Sequence, residues 1–158
     1  MTKRIVFLIL VFLSSHTYAG SKLVELEVRP NVTMKMMVIE PDTTAKGVLV
    51  LYAGGRGTIE LSSLFGIPGI NKYKANFLVR TRKQFANAGY VVVLPDVPSD
   101  LSSLRYGYRL SDAQVADATA IVSRLKSEYQ LPVWLLGTSA SSLGVAHAAA
   151  NLSDQIAA

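Results

Sequence analysis

Residues 137–141 read Gly-Thr-Ser-Ala-Ser and follow directly on the apolar run Pro132-Val133-Trp134-Leu135-Leu136. A serine becomes a nucleophile when its Oγ is lifted clear of the backbone and a neighbouring base can take its proton. A tight bend from a buried strand into a helix provides the first condition, and Ser139 is the residue such a bend would present. Gly137 lets strand and helix approach closely around the bend, whereas Ser141 stands where a second glycine is expected, so the spacing is G-x-S-x-S. The same five residues also suit a plain helix N-cap, in which the Ser139 hydroxyl only accepts a backbone N–H. The setting favours the nucleophile: a buried strand precedes the motif and the small-residue helix "SSLGVAHAAANL" follows it.

The stretch "LYAGGRGT" places Gly54, Gly55 and Gly57 at the end of another apolar run. Acyl transfer builds negative charge on a carbonyl oxygen, and two preorganised backbone N–H groups are the usual way to stabilise it. One would come from Ala140, just past the serine, and the other from this loop, whose glycines turn their amides inward without steric cost. The competing reading is a glycine-rich turn leaving a strand. Phosphate binding is disfavoured, because neither G-x-x-x-x-G-K-[ST] nor G-x-G-x-x-G is present and a long irregular stretch, not a helix, follows Gly57. No metal and no cofactor is expected.

A proton acceptor for Ser139 is harder to find. His147 lies eight positions further along the helix, about 12 Å at 1.5 Å per residue, against the roughly 3 Å a general base requires; it reads as a packing or solvent-facing histidine. His16 falls in the N-terminal segment. Asp96 and Asp100, in "LPDVPSD", read as loop-ordering residues first and substrate contacts second, since an acid without a histidine completes no relay.

These residues need a scaffold. "SKLVELEVRP" alternates apolar and charged residues as a half-buried strand, and "NVTMKMMVIEP" forms its antiparallel neighbour with Asn31 at the turn. "KGVLVLYAGG", "YVVVLPDVP" and "PVWLL" are apolar without alternation, as strands covered on both faces are. Helical patterns lie between them. "NFLVRTRKQFANAG" ends at Gly89, a left-handed cap, with Phe77, Leu78, Phe85 and Ala88 on overlapping faces. "SDAQVADATAIVSRLKSEYQ" opens with the capping-box pair Ser111 and Gln114 and carries Val115, Ala118, Val122 and Leu125 on one stripe. The expected class is α/β, a doubly wound and mostly parallel sheet.

At the N-terminus Lys3 and Arg4 precede an apolar run from Ile5 to Leu13 and the small-residue pattern Thr17-Tyr18-Ala19, the layout of a secretory signal peptide spanning residues 1–19. Nine apolar residues cover about half of the roughly 20 that a permanent span needs. The protein is therefore expected to be exported, periplasmic or secreted, touching a membrane only transiently through this peptide. Residues 20–158 make one domain, and without any Cys it is not a disulfide scaffold. The chain has 16 Lys and Arg against 11 Asp and Glu. Its basic residues are scattered apart from Arg80, Arg82 and Lys83, which helical spacing spreads over a solvated face, so nucleic acid is not an expected partner.

In its order of strand, "AGGRG" loop, helix, strand ending "LPDVPSD", helix and strand ending "GTSAS", the chain resembles the N-terminal half of an α/β-hydrolase from Val24 to Leu152. The resemblance implies an exported, esterase-like serine hydrolase acting on a small acyl or ester substrate. It implies Ser139 as nucleophile and the amides of Gly55 and Ala140 as oxyanion hole, with Gly54 as the less favoured loop donor. The departures are Ser141 for Gly and Ala53 where many members place His. In that fold the acid and the histidine follow the nucleophile helix, yet only 17 residues, Ser142 to Ala158, follow the motif. The expectation is a partial hydrolase domain, truncated after the nucleophile helix. The alternative is a secreted α/β binding or interaction domain without catalysis, or an inactive fragment.

Overall fold

The computed structural model describes residues 20–157, so the proposed signal peptide lies outside the described residues. Strands β1 (Ser21–Arg29) and β2 (Val32–Ile39) form an antiparallel hairpin. Its turn is closed by Asn31 at φ 59°, a left-handed conformation that Asn tolerates better than most residues. β2 then pairs antiparallel with β6 (Val91–Pro98), bringing the hairpin onto a parallel core of β6, β3 (Val48–Tyr52) and β7 (Val133–Gly137). The order is β1-β2-β6-β3-β7.

The unbroken apolar strands have the expected consequence. All five residues of β3 are buried, and alternate side chains serve opposite faces. Val48, Val50 and Tyr52 pack with Val91 and Val93 against Ile121, Val122 and Leu125 of α3 (Asp112–Tyr129). Leu49 and Leu51 pack with Val92 and Leu94 against Leu78 and Val79 of α1 (Phe77–Asn87). Helices therefore cover both faces, as a parallel sheet requires, and full burial of each such side chain contributes about 1.5–3 kcal/mol.

Both helix ends expected from sequence are present. Ser111 Oγ accepts the Gln114 N–H at 3.4 Å at the start of α3, although the Gln114 side chain makes no reciprocal bond. Gly89 takes φ 92° just past α1. The packed face of α1 differs from the expected one: Leu78, Val79 and Ala86 are buried, while Phe77 and Ala88 are exposed.

The stretch after the glycine loop is not irregular throughout. It folds into a second hairpin, β4 (Leu61–Leu64) and β5 (Ile67–Ile70). A short helix, α2 (Tyr106–Arg109), precedes α3 and was also not anticipated.

α4 (Ala140–Asn151) follows β7. The Val133 carbonyl, on the edge of β7 away from β3, accepts the Ala157 N–H at 2.8 Å. No helix among the described residues is long and apolar enough to cross a membrane.

Candidate active site

The bend between β7 and α4 is built by side chains too small to keep strand and helix apart. A Cβ on Gly137 would stand 2.7 Å from the Ser141 carbonyl oxygen and 2.8 Å from Val145 Cγ2, so only glycine permits this approach. Ser141, where a second glycine was expected, is almost fully buried at 1% exposure. Its hydroxyl accepts the Thr138 N–H at 2.9 Å and lies within donating distance of the carbonyls of Tyr52, at 2.7 Å, and Thr138, at 2.8 Å. The hydroxyl thus ties the turn to the end of β3, a function a glycine lacks.

Ser139 occupies the apex with φ 54° and ψ −129°. Such a conformation costs a non-glycine residue of order 1–3 kcal/mol and persists only where the surroundings impose it. The Ser139 side chain is exposed and makes no capping hydrogen bond to the helix, which removes the simple N-cap reading. Its carbonyl is held instead by the N–H and hydroxyl of Ser142, at 3.0 and 2.6 Å.

The glycine loop lies against this apex. Gly54 is so close that a Cβ there would meet the Thr138 carbonyl oxygen at 2.7 Å and Ser139 Cβ at 3.3 Å. Gly57 N–H closes a turn onto the Gly54 carbonyl at 3.2 Å, and Gly55, at φ 63°, sits exposed within it. Among the described residues neither the Gly55 nor the Ala140 N–H has a protein acceptor.

Two side chains fix the loop. Asp96 is buried and accepts the N–H groups of Ile59, Leu61 and Val97 at 3.0, 2.7 and 2.9 Å, the loop-ordering role expected of it. Arg109 was not singled out in the sequence, where nothing in "RYGYRL" marks it. It is 3% exposed and donates from Nη2 to the Gly55 carbonyl at 2.8 Å and from Nε to the Leu104 carbonyl at 3.2 Å. Burial pushes its pKa down from the usual arginine range. Gly144 of α4 lies against it, with a Cβ position 3.5 Å from Arg109 Cβ, so Arg109 sits between the glycine loop and the helix that follows Ser139.

Behind the bend is a second buried polar group. Arg29 Nε donates to Asp117 Oδ1 at 2.6 Å, and the Tyr108 hydroxyl donates to Asp117 Oδ2 at 2.6 Å. Arg29 also forms a fork with Asp100, at 3.0 and 3.1 Å, so Asp100 orders structure. Burial, followed by the bond to Asp117, raises the Tyr108 phenol well above the ordinary tyrosine range, and burial does the same for Tyr52.

His147 is half-buried in α4, with its Nε2 buried and unpaired. Among the described residues no carboxylate and imidazole come together beside Ser139, and none cluster with metal-ligand geometry. The structure thus brings Ser139, Ala140 and the glycine loop together, while Asp100 is engaged by Arg29 and His147 sits further along α4.

No protein-family model matches the chain, and no curated protein is significantly similar to it. Solved structures do match in fold. An α/β serine hydrolase without a lid from Xanthomonas campestris superposes with a TM-score of 0.61 at 18% identity, over 85% of this chain and 57% of that one. A dienelactone hydrolase from Anabaena variabilis gives 0.62 at 15% identity, over 88% of this chain and 61% of that one. An esterase from Pyrococcus furiosus gives 0.58 at 18% identity, over 87% and 48%. The chain thus spans about three fifths of the length of the first two.

Proposed function

Since the chain has the α/β-hydrolase fold over part of that fold's length, we propose that it carries the nucleophile half of an exported serine hydrolase for small carboxylic esters or related acyl compounds. Ser139 is the nucleophile. The N–H groups of Gly55 and Ala140 form the oxyanion hole, with Gly54 as the alternative loop donor. The observation that carries this reading is the backbone of Ser139, held at φ 54° and ψ −129° with an exposed, uncapped side chain. Strain at a solvent-facing serine whose side chain makes no capping bond points to function.

In this reading Ser139 Oγ attacks the acyl carbon as its proton leaves to a base. The carbonyl π electrons move onto the oxygen, which the two N–H groups stabilise. The intermediate then collapses, expels the alcohol as it is protonated, and leaves an acyl-serine for water to hydrolyse. Among the described residues none is placed to take the proton, so the reading assigns the base and its acid to residues outside them. That same observation favours a second reading, a non-catalytic α/β binding domain.

A fluorophosphonate probe on the full-length exported protein separates the two. Labelling at Ser139 that disappears in Ser139→Ala supports the hydrolase, and labelling that persists in the variant sinks the assignment. No labelling, and no saturable turnover of p-nitrophenyl esters, leaves the binding domain. Export itself requires the recovered chain to begin at Gly20 by N-terminal sequencing.

A further inference from the structure

The β4–β5 hairpin ends in a two-residue turn, Phe65-Gly66, with φ 49° and 81°. Positive φ at both central positions is the type I′ geometry, for which Asn-Gly is the natural choice. An aromatic residue at the first position is strained there. The fold gives nothing back for it, because Phe65 is 94% exposed and its neighbours Leu64 and Ile67 are 69% and 71% exposed. Three large apolar side chains thus project, mostly exposed, from a tight, preorganised tip.

The sequence that follows the hairpin is basic. Between Glu60 and Asp96 the sequence has no acidic residue and five cations, Lys72, Lys74, Arg80, Arg82 and Lys83. Lys72 is paired with Glu60. Lys74, Arg80 and Lys83 are exposed and carry no ion pair among the described residues. Ile67 and Pro68 share one groove with Arg82 and Lys83, on a rim that also holds Glu40 and Asp42. Glu40 is engaged by Lys22 and Tyr129.

We propose that this hairpin is a membrane-surface anchor: Leu64, Phe65 and Ile67 enter the interface of an anionic phospholipid bilayer, while Lys74, Arg80 and Lys83 meet its headgroups. Each contribution alone is marginal, and stable attachment takes an apolar insertion together with basic charge. The site is distinct from Ser139 and stands whether or not that serine is catalytic.

The test is flotation of the purified chain with phosphatidylcholine vesicles, with and without about 30 mol% phosphatidylglycerol. Binding is expected only to the anionic vesicles and is expected to weaken as salt rises. Phe65→Asn supplies the residue that the turn prefers, so its thermal midpoint should be unchanged or higher while binding falls about tenfold or more. Lys74→Glu with Lys83→Glu should weaken binding similarly. Equal binding to neutral vesicles, or undiminished binding by Phe65→Asn, overturns the proposal. So does a lowered midpoint in that variant, because Phe65 would then be packing on its own fold. Self-association abolished by Phe65→Asn, with no vesicle binding by the parent, would make the tip a contact between copies of the chain.

Discussion

Ser141 illustrates how much one hydroxyl can decide. A glycine at that position would leave the Thr138 N–H without its acceptor and the end of β3 without its tie to the bend. Ser141→Ala keeps the volume nearly unchanged and removes only those bonds. It is expected to cost about 1–3 kcal/mol, the penalty for stranding buried polar groups, as a lower urea midpoint at unchanged slope. An unaltered midpoint would mean that the hydroxyl is incidental. Its presence at the motif was legible in the sequence, but its role was not, because the carbonyl of Tyr52 is 89 residues away. Arg109 was invisible for the same reason: its partner at Gly55 is 54 residues distant.

Among elements, the bend from β7 to α4 is the most constrained. Gly137 faces the first turn of the helix, and a methyl group there collides with backbone, which does not yield as the end of a flexible side chain would. Gly137→Ala is therefore expected to destabilise by about 1–3 kcal/mol, the usual range for overpacking, and to shift Ser139 from its apex. Thermal denaturation gives the first effect, and a slower rate of fluorophosphonate labelling at Ser139 gives the second. Loss of neither would show that strand and helix can separate freely. The strands and longer helices were readable from pattern because their burial is regular, with period 2 or 3.6. The β4–β5 hairpin was missed because its exposed tip, Leu64 to Ile67, breaks the alternation that marks a half-buried strand. Its turn also carries Phe-Gly in place of Asn-Gly.

For the molecule as a whole, the buried phenols set an alkaline limit. Tyr52 and Tyr108 both have folded pKa values raised above the ordinary one, chiefly by burial. Below about pH 10 the phenols are protonated in both states and this stabilisation is fully present. Above it the unfolded chain loses protons that the folded chain keeps, so stability falls as pH rises, by about 1.4 kcal/mol per pH unit for each of the two. Urea midpoints measured from pH 8 upward should hold and then decline, with part of the tyrosinate absorbance appearing only on unfolding. Complete tyrosine ionisation while far-ultraviolet circular dichroism stays native would contradict the burial of these groups.

The sequence by itself determined the α/β class, the strands and helices that flank the bend, and the residues grouped as a candidate site, Ser139, Ala140 and the glycines at 54 and 55. Those features are local: a run of apolar residues, a capping serine or a glycine acts on its immediate neighbours. Only the tertiary structure decided that β3 lies between β6 and β7, that Gly54 abuts Ser139, and that Arg109 and Ser141 fix the loop and the bend. Those decisions depend on buried polar groups finding partners across the fold, and the cost of leaving them unpaired selects one arrangement that no short window of sequence contains.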